Sequence, residues 1–499
     1  MLDIISQVNS AVNNIVWGVP ALVLLIGTGV IMTLRSRFFQ FSHFGYALSQ
    51  TVGSLFKKKE TAKDTDKKSI SQFQALCTAL SATIGTGNIA GIAYAITMGG
   101  PGAVFWMWVA AIVGMMTHYS ENVLGIFYRR RNEKGEWCGG AMYYLRDGLG
   151  SKKHCRQLGK ILAVLFSVFA VFASFGIGNM GQIVSIKESV LNVVSFTGNA
   201  STDALILGAV VMVVAALVIL GGLNRIASAN EKLVPFMAFF YIIGSVAIIV
   251  MNYDMIIPAF ASIFGNAFSL EAAAGGVGGA LIKQAITWGF KRGVFSNEAG
   301  LGSSVMVHST ANVKEPVTQG LWGIFEVFFD TIIVCTLTAL VILTSGVVNL
   351  ETGVSISGAT KLGLATEAFS NSFGTFGGIF MAIAVTLFAF STVLGWSFYG
   401  TKAWEYLFGA KSTFIYKIIF IVVILAGSAL SADLVIDLSD TFNGLMAIPN
   451  LIGVLTLSGT VMAITKNYKK RHLQKFPDTT LTPMLSYSPE IQAAQEKLS

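Results

Sequence analysis

The chain contains eleven long apolar stretches, and this pattern restricts its fold more than any other feature. The hydrocarbon core of a bilayer is about 30 Å thick, so a helix that crosses it needs about 20 apolar residues. Only 12% of the 499 residues are charged, against about 25% in soluble domains. The chain is therefore predicted to be an all-α membrane protein with spans at approximately 15–34, 73–98, 102–128, 161–184, 204–223, 233–251, 279–303, 321–345, 376–403, 415–430 and 442–464.

The basic residues test this topology, because the cytoplasmic loops of membrane proteins are enriched in Lys and Arg. If the N-terminus lies outside, the segments 35–71, 129–160 and 466–499 fall on the cytoplasmic side, and they carry most of the 34 Lys and Arg residues. The net charge of +8 therefore follows the membrane topology and does not indicate a nucleic-acid partner. The C-terminus is predicted to be cytoplasmic.

Four segments follow from this pattern. Residues 1–72 are predicted to hold an extra N-terminal helix and a charged cytoplasmic linker at 57–68. Residues 73–252 and 253–465 would each form a five-helix repeat, and residues 466–499 a flexible cytoplasmic tail. Because five is an odd number, the two repeats would cross the bilayer in opposite directions.

Two spans contain glycines and polar residues that disfavour a continuous membrane helix. The first string is SATIGTGN at 81–88, and the second is TWGFKRG at 287–293, followed by SNEAGLGS at 296–303. Both fall in the first helix of a predicted repeat. Broken helices at matching positions of inverted repeats indicate a transporter binding site. Close packing of glycine-rich helices is the alternative explanation.

The first of these strings has the chemistry to bind a zwitterion and a cation. A half-helix that begins near Gly87 and Asn88 would present free N–H groups and a partial positive charge to a substrate carboxylate. The carbonyl groups released between Ser81 and Ile84 would suit a hard cation such as sodium. A binding site near the middle of the membrane is therefore predicted.

Several longer motifs carry a family resemblance. The strings GTGNIAGIA, GGPGAVFWMW, HYSENVLGIFYR, GGAMYYL and WGFKRGVFSNEAGLGSS resemble the alanine or glycine:cation symporter family, over residues 12 to 465. The resemblance implies a leucine-transporter-like fold, with one extra helix before a five-plus-five inverted repeat. It also implies sodium-coupled, or else proton-coupled, uptake of a small neutral amino acid across a prokaryotic cell membrane.

The resemblance further implies which residues form the site. The substrate residues would be Thr86, Gly87, Asn88, Gln182, Trp288, Gly289, Phe290, Thr392 and Trp396. The sodium ligands would be the carbonyl groups of Ser81, Ile84 and Ala389 and the hydroxyl of Thr392. Related transporters often carry a second hydroxyl where this chain has Val393, and a second sodium site would want a hydroxyl near Ala285. We therefore expect one sodium ion.

Ionisable residues inside spans are expected to have a partner or a role, because each costs about 2.5–3.5 kcal/mol on insertion scales. His118 and Glu121 lie one turn apart and are expected to form a structural pair, with a proton relay as the alternative. Glu326 and Asp330 are expected to pair with the basic residues at 291–292, with a coupling pathway as the alternative.

Other functional classes find less support in the sequence. A channel would need a continuous polar pore or a carbonyl filter motif, and the sequence has no such motif. An intramembrane enzyme would need a nucleophile or metal motif such as GxSxG or HExxH, and neither occurs. The prediction is therefore a non-enzymatic, monomeric symporter for alanine or glycine, with glutamine and a cation channel as the alternatives.

Overall fold

The computed structural model describes residues 2–56, 68–268, 276–429, 432–475 and 477–497, and its elements are almost all helical. Most of the predicted charged linker, residues 57–67, lies outside the described residues. In chain order the α-helices are α1 (Leu2–Val16), α2 (Val19–Arg35), α3 (Phe39–Ser42), α4 (Phe44–Gln50), α5 (Val52–Leu55), α6 (Gln72–Thr83), α7 (Ala90–Gly99), α8 (Gly102–Phe127), α9 (Ala141–Tyr143), α10 (Arg156–Phe175), α11 (Gly181–Leu191), α12 (Ala200–Ile219), α13 (Gly222–Met251), α14 (Ile256–Phe268), α15 (Gly276–Asn297), α16 (Val305–His308), α17 (Pro316–Val327), α18 (Thr336–Thr344), α19 (Lys361–Phe373), α20 (Thr375–Phe408), α21 (Thr413–Ala429), α22 (Ala432–Thr456), α23 (Ser458–His472) and α24 (Pro489–Lys497). The remaining elements are the 3₁₀ turns Thr86–Asn88, Tyr253–Met255 and Ala410–Ser412, the π-helical turns Tyr144–Leu149, Gly176–Met180 and Phe328–Cys335, and a hairpin of β1 (Arg130–Arg131) and β2 (Trp137–Cys138).

The helices confirm a multi-pass membrane protein. Within the described residues, eight helical segments are long and apolar enough to cross a membrane, and two bent helix pairs raise this number to ten. The remaining predicted span, 279–303, corresponds largely to α15, a helix of 22 residues that carries Lys283, Lys291 and Arg292. The count of eleven spans and the five-plus-five arrangement stay predictions.

Burial separates central helices from peripheral ones. In the most apolar 18 residues of α8, 67% of the residues are buried inside the protein, and the same share is buried in the segment from α17 to α18. The corresponding share is 33% for α12, whose exposed side chains include Val210, Val213 and Leu217. Because an apolar surface of this kind is stable only in an apolar solvent, α12 lies at the lipid boundary. The central helices carry the polar residues described below.

The first predicted break is confirmed. A Ser71–Gln74 capping box starts α6, which ends at Thr83, and the axes of the two half-helices differ by 56°. Ile84 follows with a non-helical ψ of 84°. A glycine is required at position 85, because a Cβ atom there would lie 2.6 Å from the Thr392 hydroxyl oxygen. The close approach of α20 to the break therefore depends on this residue.

The second break lies in the later of its two predicted strings, 296–303, and the prediction is wrong for the earlier one, 287–293. Helix α15 continues through this segment to Asn297, and the chain then unwinds over 298–304 before α16. The unwound segment contains the left-handed residues Glu298, Gly300 and Gly302, with φ of 57°, 95° and 73°. The strings at 287–293 and 296–303 are adjacent, and only the second one interrupts the helix.

Part of the C-terminal tail, predicted to be flexible, packs against the membrane domain. The Tyr487 N–H donates to the Phe127 carbonyl oxygen at 2.8 Å, and the ring of Tyr487 lies 4.9 Å from that of Tyr128. Leu485 is also buried. The prediction is wrong for this segment, because these apolar side chains cover the C-terminal end of α8.

Candidate functional site

A cavity of about 60 Å³ lies beside the first break, between α7, α11, α15 and α22. Three of the predicted substrate residues line it, namely Thr86, Gly87 and Gln182. The break therefore opens onto a space that a ligand can occupy. The cavity walls also include residues that were not predicted to bind substrate, among them Tyr94, Ser185, Arg292, Phe295, Lys361 and Ser439.

The turn between α6 and α7 leaves two main-chain donors unpaired. The N–H of Asn88 donates to the Gly85 carbonyl, and the N–H of Ile89 donates to the Thr86 carbonyl, both at 3.3 Å. Within the described residues, the N–H groups of Thr86 and Gly87 donate to no protein acceptor. Because both residues line the cavity just before α7, these donors can bind a carboxylate at the positive end of that half-helix.

Gln182 adds an acceptor to the same cavity. Its side-chain Nε2 donates to the Ile177 carbonyl oxygen at 2.8 Å, which fixes the orientation of the amide. The Oε1 atom is buried and has no hydrogen-bond partner in the described structure. Gln182 lies two residues after the π-helical turn Gly176–Met180, a distortion that is frequent at functional sites. This oxygen can accept a hydrogen bond from an ammonium group.

The predicted sodium site contains a contact between α20 and the end of α6. The Thr392 hydroxyl donates to the Ser81 carbonyl oxygen at 2.9 Å, and the Ser391 hydroxyl lies 3.4 Å from the same oxygen. A continuous helix would direct the Gly85 N–H to Ser81, but it donates to the Thr83 carbonyl instead. The break therefore frees the Ser81 carbonyl for a partner other than the helix.

The other two predicted sodium ligands flank this contact. Ile84 follows the last residue of α6, and Ala389 lies one turn before Thr392 on α20. Both residues have no exposed surface. A buried position with carbonyl oxygens from two helices has the oxygen-only chemistry that a hard cation requires. The four-ligand site itself stays a prediction.

Arg292, which lines the cavity, belongs to a buried cluster of charged residues. Arg292 donates to both carboxylate oxygens of Asp440, at 3.4 and 3.0 Å, and the Lys291 ammonium lies 3.2 Å from the same carboxylate. The Arg292 guanidinium also stacks on the Tyr94 ring, 5.0 Å from its centre. Because a buried ion pair is stable only while both partners stay together, this contact can hold one side of the cavity closed.

The predicted pairing of the basic residues at 291–292 with Glu326 and Asp330 is wrong. Asp440 pairs with both Lys291 and Arg292, as described above. In the described structure, Glu326 contacts two histidines, His118 and His308. His118 also lies 3.2 Å from Glu121, as expected for a structural pair. Asp440 lies 148 residues from Arg292 in the chain, so no local spacing could reveal this partnership.

Asn88, predicted to contact substrate, has its side chain directed elsewhere. Its Nδ2 donates to Asp330 at 2.6 Å, and its Oδ1 accepts from the Gly85 N–H at 3.1 Å. The Ser296 hydroxyl donates to the other carboxylate oxygen of Asp330, at 2.9 Å. Asn88 therefore connects the first break to α15 and to the π-helical turn that carries Asp330.

The predicted residues on α15 do not lie at a break and, within the described structure, do not line the cavity. A Cβ atom on Gly289 would lie 2.5 Å from the Ala103 carbonyl oxygen, so this glycine permits close packing on α8. Phe290 is buried in a small apolar cluster with α2 and α8. Trp288 lies near the cavity through its ring contacts with Tyr94, at 5.0 Å, and with the Arg292 guanidinium, at 5.6 Å.

Trp396 and Thr392 are also absent from the described cavity walls. Trp396 is fully buried against Gly178, where an added Cβ atom would lie 2.2 Å from the Cβ of the tryptophan. Its indole Nε1 has no hydrogen-bond partner among the described residues. Trp396 therefore supports the π-helical turn that precedes Gln182.

A polytopic helical fold with a cavity at an interrupted membrane helix is typical of membrane transporters. A comparison with models of known protein families identifies the family. It belongs to the sodium:alanine symporter family, whose model matches residues 2–481.

Individual relatives agree with this family. The chain is 47% identical to the sodium/alanine symporter AgcS of Methanococcus maripaludis over 469 residues, which cover 94% of this chain and 98% of that protein. It is 35% identical to the probable sodium/glutamine symporter GlnT of Bacillus subtilis, covering 94% and 92% of the two chains. Among solved structures, MhsT in complex with L-phenylalanine matches with a TM-score of 0.51 at 12% identity, covering 80% of this chain and 99% of that chain, which supports the fold alone.

Proposed function

We propose that this protein is a sodium-coupled symporter that imports alanine or glycine by alternating access. The main support for this proposal is a set of polar groups in one cavity that have no partner in the described structure. They are the N–H groups of Thr86 and Gly87 and the Oε1 of Gln182. A zwitterion needs donors for its carboxylate and an acceptor for its ammonium group. The cavity offers both, next to the freed carbonyl of Ser81.

The size of the cavity supports a small substrate. On the same measure of volume, one water molecule needs about 10–15 Å³. A cavity of about 60 Å³ therefore holds a few groups of that size, which fits glycine or alanine better than the longer side chain of glutamine. Thr86 and Gly87 would bind the carboxylate and Gln182 the ammonium group, while Phe295 would contact the side chain.

Sodium would bind where the two helices meet. The carbonyl groups of Ser81, Ile84 and Ala389 and the Thr392 hydroxyl are the proposed ligands. The ion would replace the hydrogen bond between Thr392 and Ser81 and use both oxygens, which lie 2.9 Å apart. Because this site shares the first break with the cavity, bound sodium would fix the turn that presents the substrate-binding N–H groups.

Transport would require the cavity to open alternately to the two sides. We place the N-terminus outside and the C-terminus in the cytoplasm, because the basic residues then concentrate on the cytoplasmic side. In this orientation Arg292 and Asp440 lie on the outer side of the cavity. Their ion pair would close after substrate enters, and movement of the two repeats against each other would then open the inner side.

Glutamine is the second candidate substrate, because a relative at 35% identity is named a probable sodium/glutamine symporter. The size of the cavity argues for the smaller amino acids. A monomer suffices for the proposed site, since every group that it uses comes from one chain.

Uptake by purified protein in liposomes tests the proposal. Labelled alanine, glycine and glutamine are offered with an inward sodium gradient, or with choline in place of sodium. We expect sodium-dependent accumulation of alanine and glycine, increased by an inside-negative potential, since one charge gains about 2.3 kcal/mol per 100 mV.

Protein-free liposomes supply the control for leakage. Equal uptake in sodium and choline would exclude sodium coupling, and loss of uptake with a proton ionophore alone would indicate proton coupling. Accumulation of glutamine but not of alanine or glycine would exclude the proposed substrate.

A further inference from the structure

A cluster of buried polar side chains away from the cavity brings two histidines and a glutamate together. The Nε2 of His118 lies 3.1 Å from Oε2 of Glu326, and the Nε2 of His308 lies 2.8 Å from the same oxygen. All three side chains are 0–1% exposed. Three atoms of the kinds that zinc prefers therefore converge within 4.8 Å of one another.

These side chains lie on three different helices. His118 lies on α8, and His308 is the last residue of the short helix α16, which follows the second break. Glu326 lies near the end of α17, seven residues after Gln319. Residues seven apart lie two turns apart on one face of a helix, so both side chains of α17 approach the histidines.

The second ring nitrogen of each histidine also contacts a polar group. The Nδ1 of His118 lies 3.2 Å from a carboxylate oxygen of Glu121, and the Nδ1 of His308 lies 2.6 Å from the Gln319 amide. A metal-bound histidine usually donates this N–H to an oxygen, which leaves Nε2 free to bind the ion. If the Gln319 side-chain amide is rotated by 180°, its oxygen faces Nδ1 of His308. The orientation of such an amide is assigned from its hydrogen-bond partners.

An unpaired buried oxygen is a second, independent observation. In the described structure, Oε1 of Glu326 has no hydrogen-bond partner. Burying a carboxylate oxygen without a partner costs free energy, which a bound cation offsets. The Ser304 hydroxyl lies 3.0 Å from Nε2 of His118 and supplies a further oxygen.

We propose that His118, His308 and Glu326 bind one divalent transition-metal ion of the zinc type, with the Ser304 hydroxyl or a water molecule as the fourth ligand. Zinc bonds of about 2.0–2.1 Å separate tetrahedral ligands by roughly 3.3–3.4 Å. The contacts at 2.8 and 3.1 Å would lengthen slightly, and all three ligand atoms already lie within 4.8 Å of one another. The ion displaces the protons that otherwise occupy the Nε2 atoms. It fixes the half-helix after the second break to α8 and α17, a structural role separate from the sodium site.

Metal analysis of the purified protein tests this site. Cells are grown with added zinc, and the full chain is purified without chelators. We expect about one zinc ion per chain in the wild-type protein and in the control His472→Gln, which removes an exposed histidine–glutamate contact. We expect at least a tenfold lower zinc content in Glu326→Gln and His308→Gln.

A second measurement does not depend on the folding of these variants. The wild-type protein is expressed with cobalt in place of zinc, and its visible absorption is recorded, since tetrahedral cobalt with nitrogen and oxygen ligands is coloured. We expect the cobalt-substituted protein to show this absorption. We also expect prolonged treatment with a chelator to lower the melting temperature of the protein. A wild-type protein without zinc, without the cobalt spectrum and without a response to chelator would show that the cluster is a hydrogen-bond network only. Retention of the metal in both folded variants would likewise overturn the proposal.

Discussion

The two breaks interrupt membrane helices with similar residues, but their main-chain groups have different partners. At the first break, the N–H groups of Thr86 and Gly87 have no acceptor among the described residues, and both residues are half-buried and line a cavity. At the second break, 298–304, every residue is buried, and the Asn450 side chain donates to the Gly300 carbonyl at 2.8 Å. The first break is therefore equipped to bind a ligand, whereas the second is held by the protein itself.

Further contacts at the second break confirm this contrast. The Asn297 side chain accepts from the Ala299 N–H at 3.0 Å, and the Ser303 hydroxyl donates to Glu298 at 2.5 Å. Glycine and polar residues in a span therefore do not by themselves identify a binding site. What distinguishes a site is whether the released groups find partners within the chain.

The substitution that should impair transport most is at the first break. Gly85→Ala would place a Cβ atom 2.6 Å from the Thr392 hydroxyl oxygen and push α20 away from the first break. Since a displacement of about 1 Å in an active site can cost about 100-fold in rate, we expect a loss of alanine uptake of that order. Uptake into liposomes measures it. Gly27→Ala is the matched control, because no atom lies within 4 Å of its new Cβ. Wild-type uptake by Gly85→Ala would contradict the account.

Gln182→Ala should have the next largest effect, because it removes the proposed acceptor for the substrate ammonium group. A hydrogen bond to a charged group contributes about 1.5–3 kcal/mol, which corresponds to roughly a tenfold to hundredfold weaker affinity. Binding of labelled alanine to purified protein measures this change. Ser185→Ala is the control, since Ser185 lines the same cavity but its hydroxyl bonds the Gly181 carbonyl. Equal losses in both variants would remove the specific role of Gln182.

Asn450→Ala should instead lower stability and leave affinity almost unchanged. The variant removes hydrogen bonds to the Gly300 carbonyl and to Glu121, both of them buried. Each unsatisfied group costs about 1–3 kcal/mol, so thermal unfolding in detergent should occur several degrees lower. Alanine affinity should stay within about twofold of the wild type. If this variant weakened alanine binding as much as Gln182→Ala, the second break would belong to the binding site.

The multi-pass helical fold could be predicted from the sequence. The membrane requires long apolar helices, and it also governs where basic residues occur in the loops. The first break could also be predicted, since Gly85 and Gly87 lie among polar residues in an otherwise apolar span. Of the two strings predicted to form the second break, the earlier one, 287–293, stays helical and only the later one is interrupted. Gly289 serves close packing on α8, and the sequence does not reveal which helix packs against a glycine.

The cavity was predictable only in part, for a related reason. Thr86, Gly87 and Gln182 belong to segments whose composition marks them as distorted or polar. The ion pair between Arg292 and Asp440 depends on two helices that are distant in the chain, and tertiary structure alone brings them together. Local sequence therefore indicated the groups at the break but not the ion pair beside the cavity.

The claim that the first break binds sodium together with substrate is tested most directly by a sodium titration of alanine binding to purified Thr392→Ala. The variant removes the hydroxyl that lies 2.9 Å from the Ser81 carbonyl oxygen, while Ser391→Ala removes a neighbouring hydroxyl at 3.4 Å as the control. We predict that Thr392→Ala raises the half-saturating sodium concentration at least about tenfold, equivalent to about 1.4 kcal/mol, and that the control changes it much less. An unchanged sodium dependence in a folded Thr392→Ala protein would contradict the account.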